Sequence, residues 1–150
     1  MRLVRVCLIS VSLLLTALCT TADAQSLLPQ SVGEKARFSA LIEMPKGYMS
    51  GICVLLCDGD IIKGSMFNDF GITYMDFTYS PQKDKVKLLS VQKMMDKWYI
   101  RKILRRDLRQ LFHAMQEGRE EYRDEKFKML FRFTPLTEDE QNEKDDDATR

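Results

Sequence analysis

Two acidic side chains lie within the most aromatic stretch of the sequence, GSMFNDFGITYMDFTYSP, which runs from Gly64 to Pro81. Asp69 and Asp76 could act as a general acid and a general base if their environments separated their pKa values. Asp69, however, lies in a bend that ends in glycine, where acidic residues serve backbone geometry. Asp76 falls on the less buried side of an alternating segment. A structural role for both residues is therefore the simpler interpretation.

Other kinds of catalytic site find little support in the sequence. A nucleophile needs an adjacent base, but the single histidine, His113, lies among basic residues. No nucleophile elbow, P-loop, dinucleotide fingerprint or zinc spacing occurs. Cys53 and Cys57 would lie about 13 Å apart on an extended segment, too far for a disulfide, so we expect buried free thiols. We predict a protein that is not an enzyme and that binds neither a cofactor nor a metal.

The N-terminus has the features of a secretory signal peptide. Arg2 and Arg5 precede the apolar run from Val6 to Leu18, and small residues follow at Ala22 and Ala24. We predict a signal peptide over residues 1–24, cleavage before Gln25, and a location in the periplasm or at the outer membrane. The run is shorter than the roughly 20 residues of a membrane span. Acylation of Cys19 is an alternative, disfavoured because Leu18 stands where such sites need a small residue.

Strand patterns dominate the rest of the chain. After a linker over residues 25–34, alternating or continuously apolar segments predict strands over residues 36–44, 48–57, 61–67, 72–79, 86–91 and 122–135. The second of these is apolar on both faces and should be central and covered. A helical period predicts one helix over residues 92–116, ended by Gly118. The acidic residues 137–150 predict a disordered tail.

These elements predict an α+β fold over residues 35–136, with a curved antiparallel sheet of about six strands wrapped as an incomplete barrel around one long amphipathic helix. Consecutive hairpins make the sheet antiparallel, and a single helix covers only part of one face. Whether the last strand pairs with the first or the fifth stays open. Asp107, at the edge of the apolar arc of the helix, should be paired with a strand donor or a turn amide.

The basic stretch from Lys83 to Arg109 contains few acidic residues. Its helical part predicts a basic surface made of Lys102, Arg105, Arg106 and Arg109. This surface is either a solvated face partly neutralised by the acidic tail or a contact for anionic headgroups or an acidic protein partner. Nucleic acid is disfavoured by the net charge of +1 and by the predicted export.

The apolar face of the predicted sheet and helix is either packed core or the wall of a cavity for acyl chains, since methionine adapts to irregular shapes. Trp98, near the helix start, would lie at the mouth of such a cavity. The candidate ligand-binding residues are Met75, Phe77, Trp98, Leu104, Leu108, Phe127, Met129 and Phe131.

The order of elements, together with GSMFNDFGITYMDFTY, KVKLLSV and MMDKWYIRKILRRDLRQL, resembles small exported proteins of Bacteroidetes-type bacteria related in fold to the lipoprotein carrier LolA and receptor LolB. The resemblance covers roughly residues 35–134 and implies an incomplete barrel that binds lipid-linked chains. This chain is shorter, with fewer strands and one main helix, and it lacks a convincing lipidation site. The expected function is binding of an acyl chain, lipid or lipoprotein segment. The alternative is an envelope interaction module with a filled core, acting through its basic helix or an edge strand.

Overall fold

The structure is a computed structural model that describes residues 24–137. The predicted signal peptide, except Ala24, and the predicted acidic tail, except Thr137, lie outside the described residues. The described part contains seven strands and one helix. Their bounds are β1 Lys35–Met44, β2 Gly47–Asp58, β3 Ile61–Phe67, β4 Thr73–Ser80, β5 Lys85–Val91, α1 Trp98–Gln116, β6 Glu121–Asp124 and β7 Met129–Pro135.

The strands form one antiparallel sheet in the order β5-β4-β3-β2-β1-β7-β6. The first and last strands pair, with Ala40 opposite Phe133 and Ile42 opposite Phe131. Helix α1 contacts β5 at one edge of the sheet and β6 and β7 at the other. One helix can contact both edges only if the sheet curls, so α1 crosses the open side of a half-barrel. The predicted fold class is confirmed, with seven strands in place of about six.

Alternating side chains explain which face of the sheet is buried. In β4, Met75, Phe77 and Tyr79 are at most 1% exposed, while their neighbours in sequence are half-buried. β2 is central in the sheet, as predicted. The prediction that β2 is covered on both faces is wrong for its outer face. There Ile52 and Val54 stay half-buried on the side away from the helix.

The helix begins six residues later than predicted, at Trp98 instead of Gln92. The Gln92 amide donates to the carbonyl of Tyr74 at 2.8 Å, which continues the contact between β5 and β4. Two further backbone bonds, from Met95 to Gln92 and from Lys97 to Met95, reverse the chain before α1. The segment 92–97 is therefore a loop that joins the edge of the sheet to the helix.

The predicted last strand is in fact a hairpin of two strands, β6 and β7. The Asp124 carboxylate accepts the amides of Lys126 and Phe127 at 2.8 and 3.2 Å, which folds the chain into a turn. Lys128 adopts a φ of 52°, a left-handed conformation that a strand does not use. The turn contains neither glycine nor proline, so the alternating pattern runs through it unchanged.

The N-terminal segment 24–34 forms no strand but packs against the fold. Leu28 is 4% exposed and belongs to the core. The Leu27 amide donates to the carbonyl of Met115 near the end of α1 at 2.9 Å, and the Gly33 amide donates to Cys57 at the end of β2 at 2.8 Å. This segment, predicted as a linker, joins the sheet to the helix.

Candidate functional site: an apolar rim at one end of the sheet

The candidate ligand-binding residues do not form one group. Met75, Phe77, Leu104, Leu108 and Phe131 are at most 1% exposed, and Met129 is 7% exposed. All six belong to one continuous core cluster, against which the half-buried Phe127 packs. Trp98 is 77% exposed and makes an edge-to-face contact with Tyr99, with ring centroids 5.9 Å apart.

Core side chains occupy the space between sheet and helix. The ring of Phe112 on α1 lies 4.8 Å from that of Tyr79 and 5.6 Å from that of Phe77, measured between centroids. Two surface pockets, of about 770 and 140 Å³, lie beside the N-terminal segment. Neither pocket is lined by any of the candidate ligand-binding residues.

The two carboxylates of the aromatic stretch do not form a pair of catalytic acids. Asp76 accepts hydrogen bonds from the hydroxyls of Ser65 at 2.7 Å and Ser90 at 2.6 Å, so it links three adjacent strands on the outer face. Asp69 is exposed in the turn between β3 and β4, whose shape is fixed by the neighbouring Asn68 side chain. The predicted structural roles fit both positions.

The four predicted basic-surface residues divide into two pairs. Lys102 and Arg105 are exposed. Arg109 is half-buried, and its guanidinium lies 3.9 Å from the carboxylate of Asp84. Arg106 turns toward β6 and is bound by acidic side chains, so it does not belong to a free basic surface. The surface that α1 presents is less basic than its sequence suggests.

Arg106 lies between two buried carboxylates. It donates to Asp107 through Nε at 2.8 Å and Nη2 at 2.6 Å, and Nη2 also donates to Asp124 of β6. Its guanidinium carbon lies 5.0 Å from the ring centroid of Phe127. Burial, and to a lesser extent Asp124, raise the pKa of Asp107 to about 6 although Arg106 lowers it. The prediction that Asp107 pairs with a strand donor or a turn amide is wrong, because its carboxylate accepts from Arg106 of the same helix.

The connection between β1 and β2, the turn between β3 and β4, and the loop between β5 and α1 all lie at one end of the half-barrel. Ile52, the sixth residue of β2, pairs with Phe67, the last residue of β3, so the β1–β2 hairpin extends past β3 at this end of the sheet. Met75 pairs with Val91, which brings the start of β4 beside the end of β5. The register of the sheet therefore groups side chains from distant parts of the sequence.

Exposed apolar side chains concentrate at this end. Of the eight large apolar residues that are exposed in the described chain, six lie in or next to these three connections. We call them the apolar rim: Tyr48 (71% exposed), Phe70 (90%), Ile72 (52%), Met94 (78%), Trp98 (77%) and Tyr99 (45%). The other two, Val32 and Leu89, lie at the opposite end and on edge strand β5.

Lysines lie in or next to the connections that carry the apolar rim. Lys46 lies in the first connection, Lys93 and Lys97 lie in the loop before α1, and Lys102 follows one turn into the helix; all four are exposed. None of the four forms an ion pair with a residue that the structure describes. The rim thus combines apolar and cationic side chains.

Of the rim residues, only Trp98 could be predicted from the sequence as a candidate. The available signal was the presence of apolar residues inside polar or glycine-containing bends, as in Phe70 between Asp69 and Gly71. Within residues 24–137, no cluster of three or more metal-binding side chains occurs. No helix of that range is both long and apolar enough to span a membrane.

No family model, no curated protein and no solved structure matches the chain. The resemblance to the LolA and LolB family therefore stays a prediction.

Proposed function

We propose that the protein is an exported, envelope-associated binding protein without enzymatic activity, and that it acts through its surface by means of the apolar rim. The observation that carries the proposal is the concentration of six exposed apolar side chains at one end of the half-barrel. Large apolar residues gathered on a surface are a feature of interaction sites. The proposal corresponds to the alternative hypothesis drawn from the sequence, an envelope interaction module with a filled core. It differs in placing the interaction at the rim and not on the basic helix or an edge strand.

The packed interior supports a surface role. An acyl chain placed between sheet and helix would have to displace side chains such as Phe77, Phe112 and Phe131, each at most 1% exposed. Burial of a side chain of this size stabilises the fold by about 1.5–3 kcal/mol. Binding would have to offset several such losses. The hypothesis of an interior acyl chain therefore receives less support than its alternative.

The proposal is tested by the cellular distribution of rim variants. A protein with Phe70→Ser and Trp98→Ser should move from the envelope fraction to the soluble fraction, because it loses two of the most exposed apolar groups. Val32→Ser is the matched control, since Val32 is 76% exposed at the opposite end and should leave the distribution unchanged. Circular dichroism of the three proteins checks that the fold is retained.

Mass spectrometry of gently extracted protein separates the two hypotheses. A surface-acting protein should lose both its envelope association and any bound lipid when the rim residues are changed. Stoichiometric lipid that is retained in the rim variant would instead favour the interior site. Equal distribution of wild type, rim variant and Val32 control would contradict the role of the rim.

A further inference from the structure

We infer that the occupant of the apolar rim is the surface of an anionic lipid bilayer, into which the rim inserts its aromatic side chains. This inference rests on the proposed function and names the partner of the same surface. Three features of the rim favour a bilayer: the chemical types of its residues, their position on separate connections, and the lysines in the same connections.

The residue types match those that favour a membrane interface. Trp98, Tyr99 and Tyr48 each combine an apolar ring with a polar group, and such residues are enriched where hydrocarbon meets water. Phe70 and Met94 add apolar side chains that are 90% and 78% exposed. Residues of this kind at chain reversals can enter the headgroup region while the sheet stays in water.

The lysines distinguish a bilayer from a protein partner. Protein interfaces are depleted in lysine, yet Lys46, Lys93, Lys97 and Lys102 lie in or next to the connections of the rim and have no described acidic partner. Lysine side chains can lie along apolar surface while their ammonium groups reach lipid phosphates. A juxtaposed lysine strengthens binding to an anionic membrane by about fivefold. The same connections and their flanks also contain the exposed acidic residues Glu43, Asp69 and Asp96, of which Asp96 pairs with Arg101. Basic side chains outnumber these acidic ones, so the net charge of the rim is complementary to anionic headgroups.

Trp98 provides a direct test, because it is the only tryptophan of the chain and is itself part of the rim. The full chain is titrated with vesicles of phosphatidylglycerol and phosphatidylcholine in equal amounts. Insertion should shift Trp98 emission to shorter wavelength and allow quenching by brominated acyl chains. Vesicles of phosphatidylcholine alone should bind at least tenfold more weakly. The rim variants leave the apolar N-terminal run intact, so they separate insertion of the rim from binding through that run.

Variants locate the contact. Phe70→Ser with Ile72→Ser should weaken binding about tenfold or more, and Lys46→Gln with Lys93→Gln and Lys97→Gln should weaken it and reduce its dependence on salt. Val32→Ser should bind like the wild type. The inference is overturned if Trp98 emission is unchanged by vesicles, or if the Phe70 and Val32 variants bind equally.

The two proposals can fail separately. If rim variants leave the envelope fraction while Trp98 does not respond to any vesicle, the rim binds an envelope protein and only the lipid inference is lost. If rim variants also keep their envelope distribution, the proposed function is lost as well.

Discussion

At the scale of single residues, Asp107 is the side chain whose environment departs most from that of an ordinary carboxylate. It is fully buried on α1 and faces Arg106 of the same helix and Asp124 of β6. Since burial raises the pKa of Asp107 to about 6, the folded state binds its proton more tightly than the unfolded chain does. The stability of the protein should therefore depend on the protonation of Asp107.

The contribution of Asp107 to the free energy of unfolding should fall as pH rises from about 4 to about 6 and stay constant above that range. In this window the unfolded chain has already released the proton, whereas the folded protein has to charge a buried group. The rise of the pKa from 3.8 to about 6 corresponds to about 3 kcal/mol. Urea denaturation at pH 4, 5, 6 and 7 measures this decline in the free energy of unfolding.

The matched variants are Asp107→Asn, which removes the titrating group but keeps an acceptor for Arg106, and Asp69→Asn, which changes an exposed carboxylate. The Asp107 variant should lose most of the decline in stability between pH 4 and pH 6. The Asp69 variant should keep the wild-type profile. Identical pH profiles for all three proteins would show that the proton on Asp107 is not coupled to folding.

At the scale of elements, the strands up to β5 could be predicted to within one residue at each end because each buries one set of alternating side chains. The start of α1 could not be predicted, because Lys97 makes no side-chain capping bond. The loop before the helix is held by one backbone hydrogen bond to β4 and by backbone bonds within itself. The division of the predicted last strand into β6 and β7 could not be predicted from the alternating pattern either. Asp124 carries the only local signal, since aspartate commonly accepts amides two and three residues ahead.

Arg106 fastens α1 to the β6–β7 hairpin, and its removal should weaken the fold. Arg106→Ala leaves Asp107 and Asp124 buried without a cation, which should lower the free energy of unfolding by about 3 kcal/mol at pH 7. The loss should shrink at pH 5, where Asp107 is protonated. Urea denaturation at both pH values measures the difference.

Arg105→Ala is the control for this prediction, since Arg105 lies on the same helix but is exposed. It should change stability by no more than about 0.5 kcal/mol. Arg106→Met retains a long side chain over the Phe127 ring and separates packing from charge. Equal losses for the Arg105 and Arg106 alanine variants would contradict the role of the buried carboxylates.

At the scale of the whole molecule, the curled antiparallel sheet with one helix could be predicted from the sequence, but the apolar rim could not. Its members lie in three connections that are far apart in the sequence. More than twenty residues separate Tyr48 from Phe70, and more than twenty separate Phe70 from Met94. Only the register of the sheet brings these connections to one end. The core could be predicted because burial repeats locally along each strand, whereas exposure at a shared end depends on the complete topology.

The role of the N-terminal segment could not be predicted from a local pattern either. We expect this segment to unfold together with the sheet. Leu28 fills a place in the core that no strand supplies, and Leu27 bonds to the end of α1. Leu28→Ala should lower the free energy of unfolding by about 2–3 kcal/mol, because it leaves a cavity among side chains that cannot fully collapse. Chemical denaturation followed by circular dichroism measures the loss.

Val32→Ala is the control, since Val32 belongs to the same segment but is 76% exposed and should change stability by less than about 0.5 kcal/mol. If the segment were a linker, both variants would be neutral, and its amides would exchange with solvent long before those of β1. If it is part of the cooperative unit, the Leu27 and Gly33 amides should be protected to a similar degree as the strands and helix they join. Hydrogen exchange therefore decides whether the folded domain begins before β1.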